Sequence, residues 1–356
     1  MRPLKAYLSK SALQHNVAFL KQQAPQSSLC TVLKANAYGH RVELVAPIIE
    51  DHADYFAVAA IEEAQAIREI SPNIPIILLE GIFEHYEYNL CDEFNFWPAI
   101  GNEYQLNGLL ESKLHNPINV FIKVNSGMNR LGIQAEQLAH YHHLLSESAN
   151  VKSIQVMTHL SSADEKLSPE TEKQLSIMAK LDPTIQATIS NSAHIFYDNK
   201  PAQSIVRAGL SLYGASPFDG KTATDIGLKP ILELRSKIIH INHLKIGDHV
   251  GYGATFTAKH EMPIGVIACG YADGYPREVS KEAYVLIDGY KAPLVGRVAM
   301  DMFMVDLSNV PESKWQHDVI LFGEQLPIEH VATWADTIPY TIFTHLAKRI
   351  HFHVID

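Results

Sequence analysis

Between residues 30 and 206, short β-rich runs alternate with stretches of helical periodicity. No other feature limits the possible folds of this chain as tightly. The runs fall at 30–34, 55–59, 76–80, 96–100, 119–124, 154–159, 184–190 and 204–206. Amphipathic stretches such as 61–70 and 103–114 lie between them, and an opening helix over 9–23 is marked by Leu13, Val17 and Leu20. Strands separated by helices pair in parallel, because each crossover carries the chain back to the same end of the sheet. Eight of them predict an α/β fold, a (β/α)8 TIM-type barrel rather than an open sheet.

After Lys229-Pro230 the texture changes. Residues 231–241 partly alternate apolar and polar side chains, and short runs follow at 245–250, 264–268, 283–287 and 302–307. Asp288-Gly289 is a hairpin signal. This predicts a smaller, mainly antiparallel β domain, with helical stretches at 328–335 and 342–350. A chain of 356 residues exceeds most single cores. The expected division is a barrel over 1–227 and a β domain over 228–356, with residues 1–9 as a strand available to pack with the second domain.

Composition narrows the function. A net charge of −10 disfavours a nucleic-acid binder, which shows a basic face. No apolar run approaches the ~18 residues of a membrane span, and no apolar signal core follows Met1-Arg2-Pro3-Leu4-Lys5. Cys30, Cys91 and Cys269 are odd in number and far apart, which argues against disulfides and zinc and for the cytoplasm. His140 and His143 can share a helix face but have no companion ligand motif, so no metal site is expected.

Active-site residues of a barrel gather at the C-terminal ends of its strands. Here those ends carry Lys34, the Asn125-Ser126-Gly127-Met128-Asn129-Arg130 loop, His159, Asn191-Ser192 and Arg207-Ala208-Gly209. A lysine at the lip of a core can lose part of its hydration, which suits its amine to act as a base or a Schiff-base nucleophile. The β half adds two tyrosines among glycines, in Gly251-Tyr252-Gly253 and Gly270-Tyr271-Ala272-Asp273-Gly274.

Val32-Leu33-Lys34-Ala35-Asn36-Ala37-Tyr38-Gly39-His40 resembles the signature of the alanine racemases. Lys123-Val124-Asn125-Ser126-Gly127-Met128-Asn129-Arg130-Leu131-Gly132 resembles a second family segment. In order, Thr158-His159-Leu160, Ser190-Asn191-Ser192-Ala193, Arg207-Ala208-Gly209-Leu210, the two tyrosine loops and Val295-Gly296-Arg297-Val298-Ala299-Met300-Asp301 match as well. The resemblance runs from Arg2-Pro3 to Tyr340.

The resemblance implies interconversion of L- and D-alanine, with pyridoxal phosphate held by Lys34. It implies head-to-tail homodimers in which Tyr252 and Met300 of one subunit complete the other's site. Lys34 then serves the Cα proton of D-alanine and Tyr252 that of L-alanine, with His159 and Arg130 aligned towards the tyrosine. Arg207 faces the pyridine nitrogen. Tyr38, Ser192, Gly209, Leu210 and Tyr340 hold the phosphate. Arg130 and the Met300 backbone hold the substrate carboxylate, Tyr271 and Tyr340 narrow the entrance, and Asp301 braces the Met300 loop. Lys123 matches a lysine that is carbamylated in some relatives. The product, D-alanine, is a peptidoglycan precursor.

Arg41 stands where the family usually has glycine, which is costly if that position needs a positive φ. Asn125 replaces an aspartate, Thr341 replaces a glutamate, and Arg349-Ile350-His351-Phe352 departs from the family pattern. The nearest rival reading is a broader racemase acting on serine or lysine. A related decarboxylase is disfavoured by Gly251-Tyr252-Gly253, and a single-barrel pyridoxal phosphate homeostasis protein by the β half.

Overall fold

The structure is a computed structural model describing residues 2–166 and 168–356; Met1 and Leu167 lie outside the described residues. β1 (Lys5–Ser9) belongs to a second sheet. The barrel strands are β2 (Ser28–Val32), β3 (Tyr55–Val58), β4 (Ile76–Leu78), β5 (Phe96–Ile100), β6 (Ile118–Lys123), β7 (Val151–Met157), β8 (Ala187–Thr188) and β9 (Ile205–Ala208). They pair in parallel in chain order, and β2 also pairs with β9. The Ser204 N–H donates to Ala187 O at 2.9 Å and the Arg207 N–H to Ser190 O at 3.1 Å, so the sheet nearly closes.

Strands covered by helices on the outside and side chains on the inside read as apolar runs. Ile76-Ile77-Leu78 and Val120-Phe121-Ile122 are such runs, and all six residues are buried. The expected strand at 184–190 shrinks to two residues. The Thr184 N–H and hydroxyl both donate to Asp182 Oδ1, which holds that end in a turn. At the other end the N–H groups of Ile189 and Ser190 donate to the Gln203 side chain rather than to a strand.

The second sheet has nine strands and is antiparallel at every pairing but one. The expected single strand at 231–241 is two, Leu232–Ser236 and Ile238–Leu244, which pair with different neighbours. Leu232–Ser236 lies antiparallel to β1, and the chain's last strand, His351–Ile355, lies parallel to β1 on its other side. The helix expected at 342–350 ends earlier, as Pro339–Thr344. The last strand is an exposed edge whose alternation, Ile350, Phe352 and Val354, is short and directly follows a stretch that looks helical. Among the described residues no helix is long and apolar enough to cross a membrane.

β1 thus sits between two strands, with Ala6 and Leu8 fully buried. Truncating a buried leucine costs about 2–5 kcal/mol, from lost burial plus the residual cavity. Leu8→Ala is expected to lower unfolding free energy in urea by about 3 kcal/mol; an unchanged midpoint would mean that β1 contributes little.

Candidate active site

The turn after β2 is left-handed. Ala35, Asn36 and Ala37 have φ of 52°, 56° and 53° with ψ near 50°, and Tyr38 has φ 51°. Its bonds are helical in spacing but opposite in hand: the Ala37 N–H donates to Leu33 O at 2.8 Å and the Gly39 N–H to Ala35 O at 2.9 Å. Residues four apart on such a turn share a face, so Lys34 and Tyr38 both line one cavity of about 850 Å³. The sequence suggested only a loop here.

Several groups hold this turn. The Glu63 carboxylate accepts the Ala35 N–H at 2.7 Å and the Ala59 N–H at 2.9 Å. His40 Nδ1 lies 3.1 Å from Ala37 O and 3.0 Å from Tyr38 O, so that nitrogen carries the proton. A Cβ on Gly39 would stand 2.0 Å from Phe343 O. Arg41 does adopt a positive φ, 72°. Its guanidinium donates to Ala347 O at 3.0 Å and lies 5.0 Å from the Phe352 ring centroid. Two departures from the family pattern, at Arg41 and in the tail, therefore touch one another.

The same cavity gathers Lys123, Arg130, His159, Ser192, Arg207, Gly209, Leu210 and Tyr340. Burial and the neighbouring Tyr340 push the Tyr38 phenol up, and burial with Asp164 pushes Tyr340 up to about 12. Both phenols stay protonated and can donate. Ser192 Oγ accepts from the Gly209 N–H at 2.9 Å, and a Cβ on Gly209 would meet the Tyr38 hydroxyl at 2.6 Å. Leu210 opens a short 3-10 turn (Leu210–Tyr213), whose first N–H groups lack intrahelical acceptors. A phosphate suits this donor set.

Arg207 is 3% exposed. Its Nη1 donates to Thr188 Oγ1 at 2.5 Å and its Nη2 to Thr158 O at 2.6 Å, which leaves Nε without an acceptor among the described residues. Burial lowers its pKa to about 10, so it remains charged at neutral pH. An orphaned N–H on a buried cation fits an aromatic ring nitrogen. Burial, reinforced by Arg207 and Arg130, drops His159 to about 3, so its imidazole is neutral. Arg130 makes no hydrogen bond or ion pair among the described residues and is free to take a carboxylate. Asn125 shapes its loop, with Oδ1 accepting from the N–H groups of Gly127 at 3.1 Å and Asn129 at 2.9 Å.

Four expected residues lie outside this cavity. Tyr252 is 74% exposed, Met300 is 53% exposed, and Tyr271 and Asp301 are also absent from its lining. No metal-ligating cluster exists among the described residues.

Residues 8–217 match the alanine racemase N-terminal domain and residues 231–354 the alanine racemase C-terminal domain. The chain belongs to the alanine racemase family. It is 39% identical over 352 residues to the alanine racemase of Stutzerimonas stutzeri, covering 98% of each chain. It is 37% identical over 360 residues to the biosynthetic alanine racemase of Escherichia coli O157:H7, covering 100% of both. The crystal structure of the biosynthetic alanine racemase from Pseudomonas aeruginosa superposes with a TM-score of 0.96 at 38% identity, again over 100% of both chains. The catabolic alanine racemase of Pseudomonas putida is 37% identical over 350 residues, so overall identity carries the reaction and not its metabolic direction.

Several residues that shape this family site escaped sequence reading. Glu63 stands at the third position of the helix Ile61–Ile70, where a carboxylate is an ordinary cap, and nothing local shows that it also reaches Ala35. Gln174 donates to Ser126 Oγ at 3.1 Å and His159 O at 2.9 Å, joining two site loops. Its only signal is a polar side chain on the buried side of the helix Pro169–Met178.

Lys123 is 8% exposed, and its Nζ donates to Leu79 O at 2.5 Å. Burial, with Arg207 and Arg130 nearby, lowers its pKa from 10.5 to about 8. Between those values the unfolded chain binds more protons than the folded one, so this group makes stability rise with pH across that window. An NMR titration of 13Cε-labelled lysine in the cofactor-free protein is expected to show one amine with a midpoint near 8, absent in Lys123→Met. A Lys123 midpoint above 10 would contradict the site's electrostatics.

Proposed function

We propose that the protein interconverts L- and D-alanine in homodimers with shared sites, using pyridoxal phosphate bound covalently to Lys34. In this reading residues 1–227, apart from the segment that carries β1, form the cofactor-binding barrel, and residues 228–356 with β1 packed among them supply what the partner subunit needs. One observation carries the two-base assignment. Of the other basic side chains around Lys34, Arg130 and Arg207 are cations, a histidine titrating at about 3 accepts protons weakly, and Lys123 Nζ is engaged in donating to Leu79 O. Tyr252, meanwhile, stands 74% exposed on a glycine-flanked loop outside that cavity.

When bound, pyridoxal phosphate supplies a conjugated electron-withdrawing ring that spreads the charge left behind as the Cα proton departs. The chain's residues do the rest. Tyr38, Ser192, the N–H groups of Gly209 and Leu210, and Tyr340 hold the phosphate. Arg207 donates through Nε to the ring nitrogen and keeps its own proton. By offering a hydrogen bond and no proton, Arg207 would keep the bound group a weaker electron sink and limit side reactions at other carbons.

Arg130 and the partner subunit's Met300 backbone hold the substrate carboxylate, while Tyr340 and the partner subunit's Tyr271 restrict the side chain to about a methyl. Lys34 Nζ removes or returns the Cα proton on the D face. The hydroxyl oxygen of the partner subunit's Tyr252 does so on the L face, with neutral His159 and Arg130 beside it. Asp301 braces the Met300 loop. At neutral pH a fraction of Lys123 is an unprotonated amine, which can combine with carbon dioxide to give a carbamate and a proton; that anion would orient Arg130. The work of such an enzyme is to supply or consume cytoplasmic D-alanine, a peptidoglycan precursor.

The test is chiral analysis of purified protein loaded with pyridoxal phosphate. L-alanine and D-alanine should each run to the racemate, with serine and lysine far slower. No interconversion in either direction would end the racemase reading, and equal rates on serine or lysine would favour the broader enzyme. The enantiomers have equal free energy, so kcat/KM must be the same in both directions and cannot separate the two bases. Exchange of the Cα proton in D2O can. Tyr252→Phe should lose about 10²–10⁴-fold in racemisation while still exchanging the Cα proton of D-alanine with retention. Exchange from L-alanine alone in that variant would reverse the two assignments.

A further inference from the structure

Outside the cavity, the densest set of charged groups joins the two ends of the chain. β1 and His351–Ile355 pair in parallel with Lys5 opposite His351, which brings Arg2 and Arg349 to the same end of the sheet. Both arginines converge on Asp273, which is 1% exposed. Arg2 Nη1 donates to Asp273 Oδ1 at 2.9 Å and Nη2 to Oδ2 at 3.0 Å; Arg349 Nε donates to Oδ1 at 2.6 Å. Each arginine also holds Asp301. Arg2 Nη2 donates to its backbone oxygen at 2.9 Å, and Arg349 Nη2 lies 2.8 Å from its carboxylate.

Asp273 and Asp301 belong to the two loops that carry Tyr271 and Met300, and these loops are fastened backbone to backbone. The Tyr271 N–H donates to Ala299 O at 3.1 Å and the Ala272 N–H to Met300 O at 3.0 Å. A Cβ on Gly270 would stand 2.3 Å from Ala299 O. The Gly270 N–H donates to Asp273 Oδ2 at 2.9 Å, and the Ala347 N–H to Asp273 O at 3.1 Å. Tyr271 and Met300 are left exposed at the tips.

We infer that Arg2 and Arg349 are positioning residues that clamp these two loops in the shape one subunit presents to the active site of its partner. Chain ends ordinarily fray unless something ties them down. Here Arg2 gives its planar fork to the buried Asp273 carboxylate, and Arg349 bridges that carboxylate to the one of Asp301 through Nε and Nη2, a geometry that fixes direction as well as charge. The clamp touches neither Lys34 nor the phosphate donors. Its loss should spoil the partner's site and leave cofactor binding in its own barrel intact.

This inference rests on the shared-site reading, and hybrid dimers separate the two. Chains carrying different affinity tags are co-expressed, and mixed dimers are isolated and loaded with pyridoxal phosphate. The double variant Arg2→Met, Arg349→Met is expected, as a homodimer, to bind the cofactor with the wild-type visible spectrum and to racemise alanine on the order of 10²-fold more slowly, since a misplacement of about 1 Å costs that much. Paired with Lys34→Ala it should recover activity, because one site then combines an intact Lys34 with intact clamped loops. Paired with Tyr252→Phe it should stay low, because both lesions then lie on the donated side.

Recovery with Tyr252→Phe, or none with Lys34→Ala, would overturn the clamp. A control hybrid of Lys34→Ala with Tyr252→Phe must itself recover activity; if it does not, the shared site falls and the clamp with it. Should the double variant fold poorly, Arg349→Lys keeps the charge and loses the fork. It should melt as wild type does and show the same pattern of recovery at smaller amplitude; recovery with Tyr252→Phe would overturn the clamp here too.

Discussion

The left-handed turn from Ala35 to Tyr38 is the constraint on which the rest of the structure depends. Each L-residue in a left-handed helix costs roughly 1–2 kcal/mol, so consecutive ones survive only where the surroundings over-determine them. The barrel contributes Glu63, bonded to the first N–H of the turn, and Tyr213, whose ring stacks on Tyr38 at 5.0 Å and on His40 at 4.6 Å. The β half contributes Phe343, whose backbone oxygen admits only glycine at position 39, and Ala347, which receives Arg41. A lysine and a tyrosine are thereby fixed on one wall of a cavity, each with its polar end available. Both halves of the chain are needed to hold this turn.

Lys34, Lys123, Arg130 and Arg207 gather in one cavity, and that shapes the chemistry around them. Burial and the surrounding positive charges strip His159 of its proton, lower Lys123 to about 8 and leave Arg207 charged. The phenols of Tyr38 and Tyr340 are held protonated by burial. An anion entering this space, whether a phosphate or a substrate carboxylate, meets donors already oriented. The residue proposed as the second base stands elsewhere on the surface, which gives the β half a role beyond covering the barrel.

Much of this was legible in the sequence, and the failures have physical causes. Apolar runs such as Ile76-Ile77-Leu78 announce buried parallel strands, and the polar residues at the C-terminal ends of several strands line one cavity. Strand 184–190 was overread because β propensity does not register an aspartate turning the chain at Asp182. The last strand, His351–Ile355, is hard to read because its alternation at Ile350, Phe352 and Val354 is short and runs on from a stretch that looks helical. The left-handed turn was hidden because Ala35, Asn36 and Ala37 have no shared preference for it; the conformation is imposed by Glu63, His40 and Phe343 from outside the turn. Arg41 was flagged for its positive φ, and that strain is real. What the sequence could not show is that Phe352 and Ala347 receive its side chain. Asp273 has no local signal of its role, since its partners Arg2 and Arg349 are far from it in sequence.

The central claim is that this turn exists to present Lys34 to a cofactor. The most direct measurement is borohydride reduction of the protein mixed with pyridoxal phosphate, followed by peptide mass mapping. The account predicts a single stable adduct on the peptide carrying Lys34, lost in Lys34→Arg. An adduct spread over surface lysines, or confined to Lys123, would contradict it.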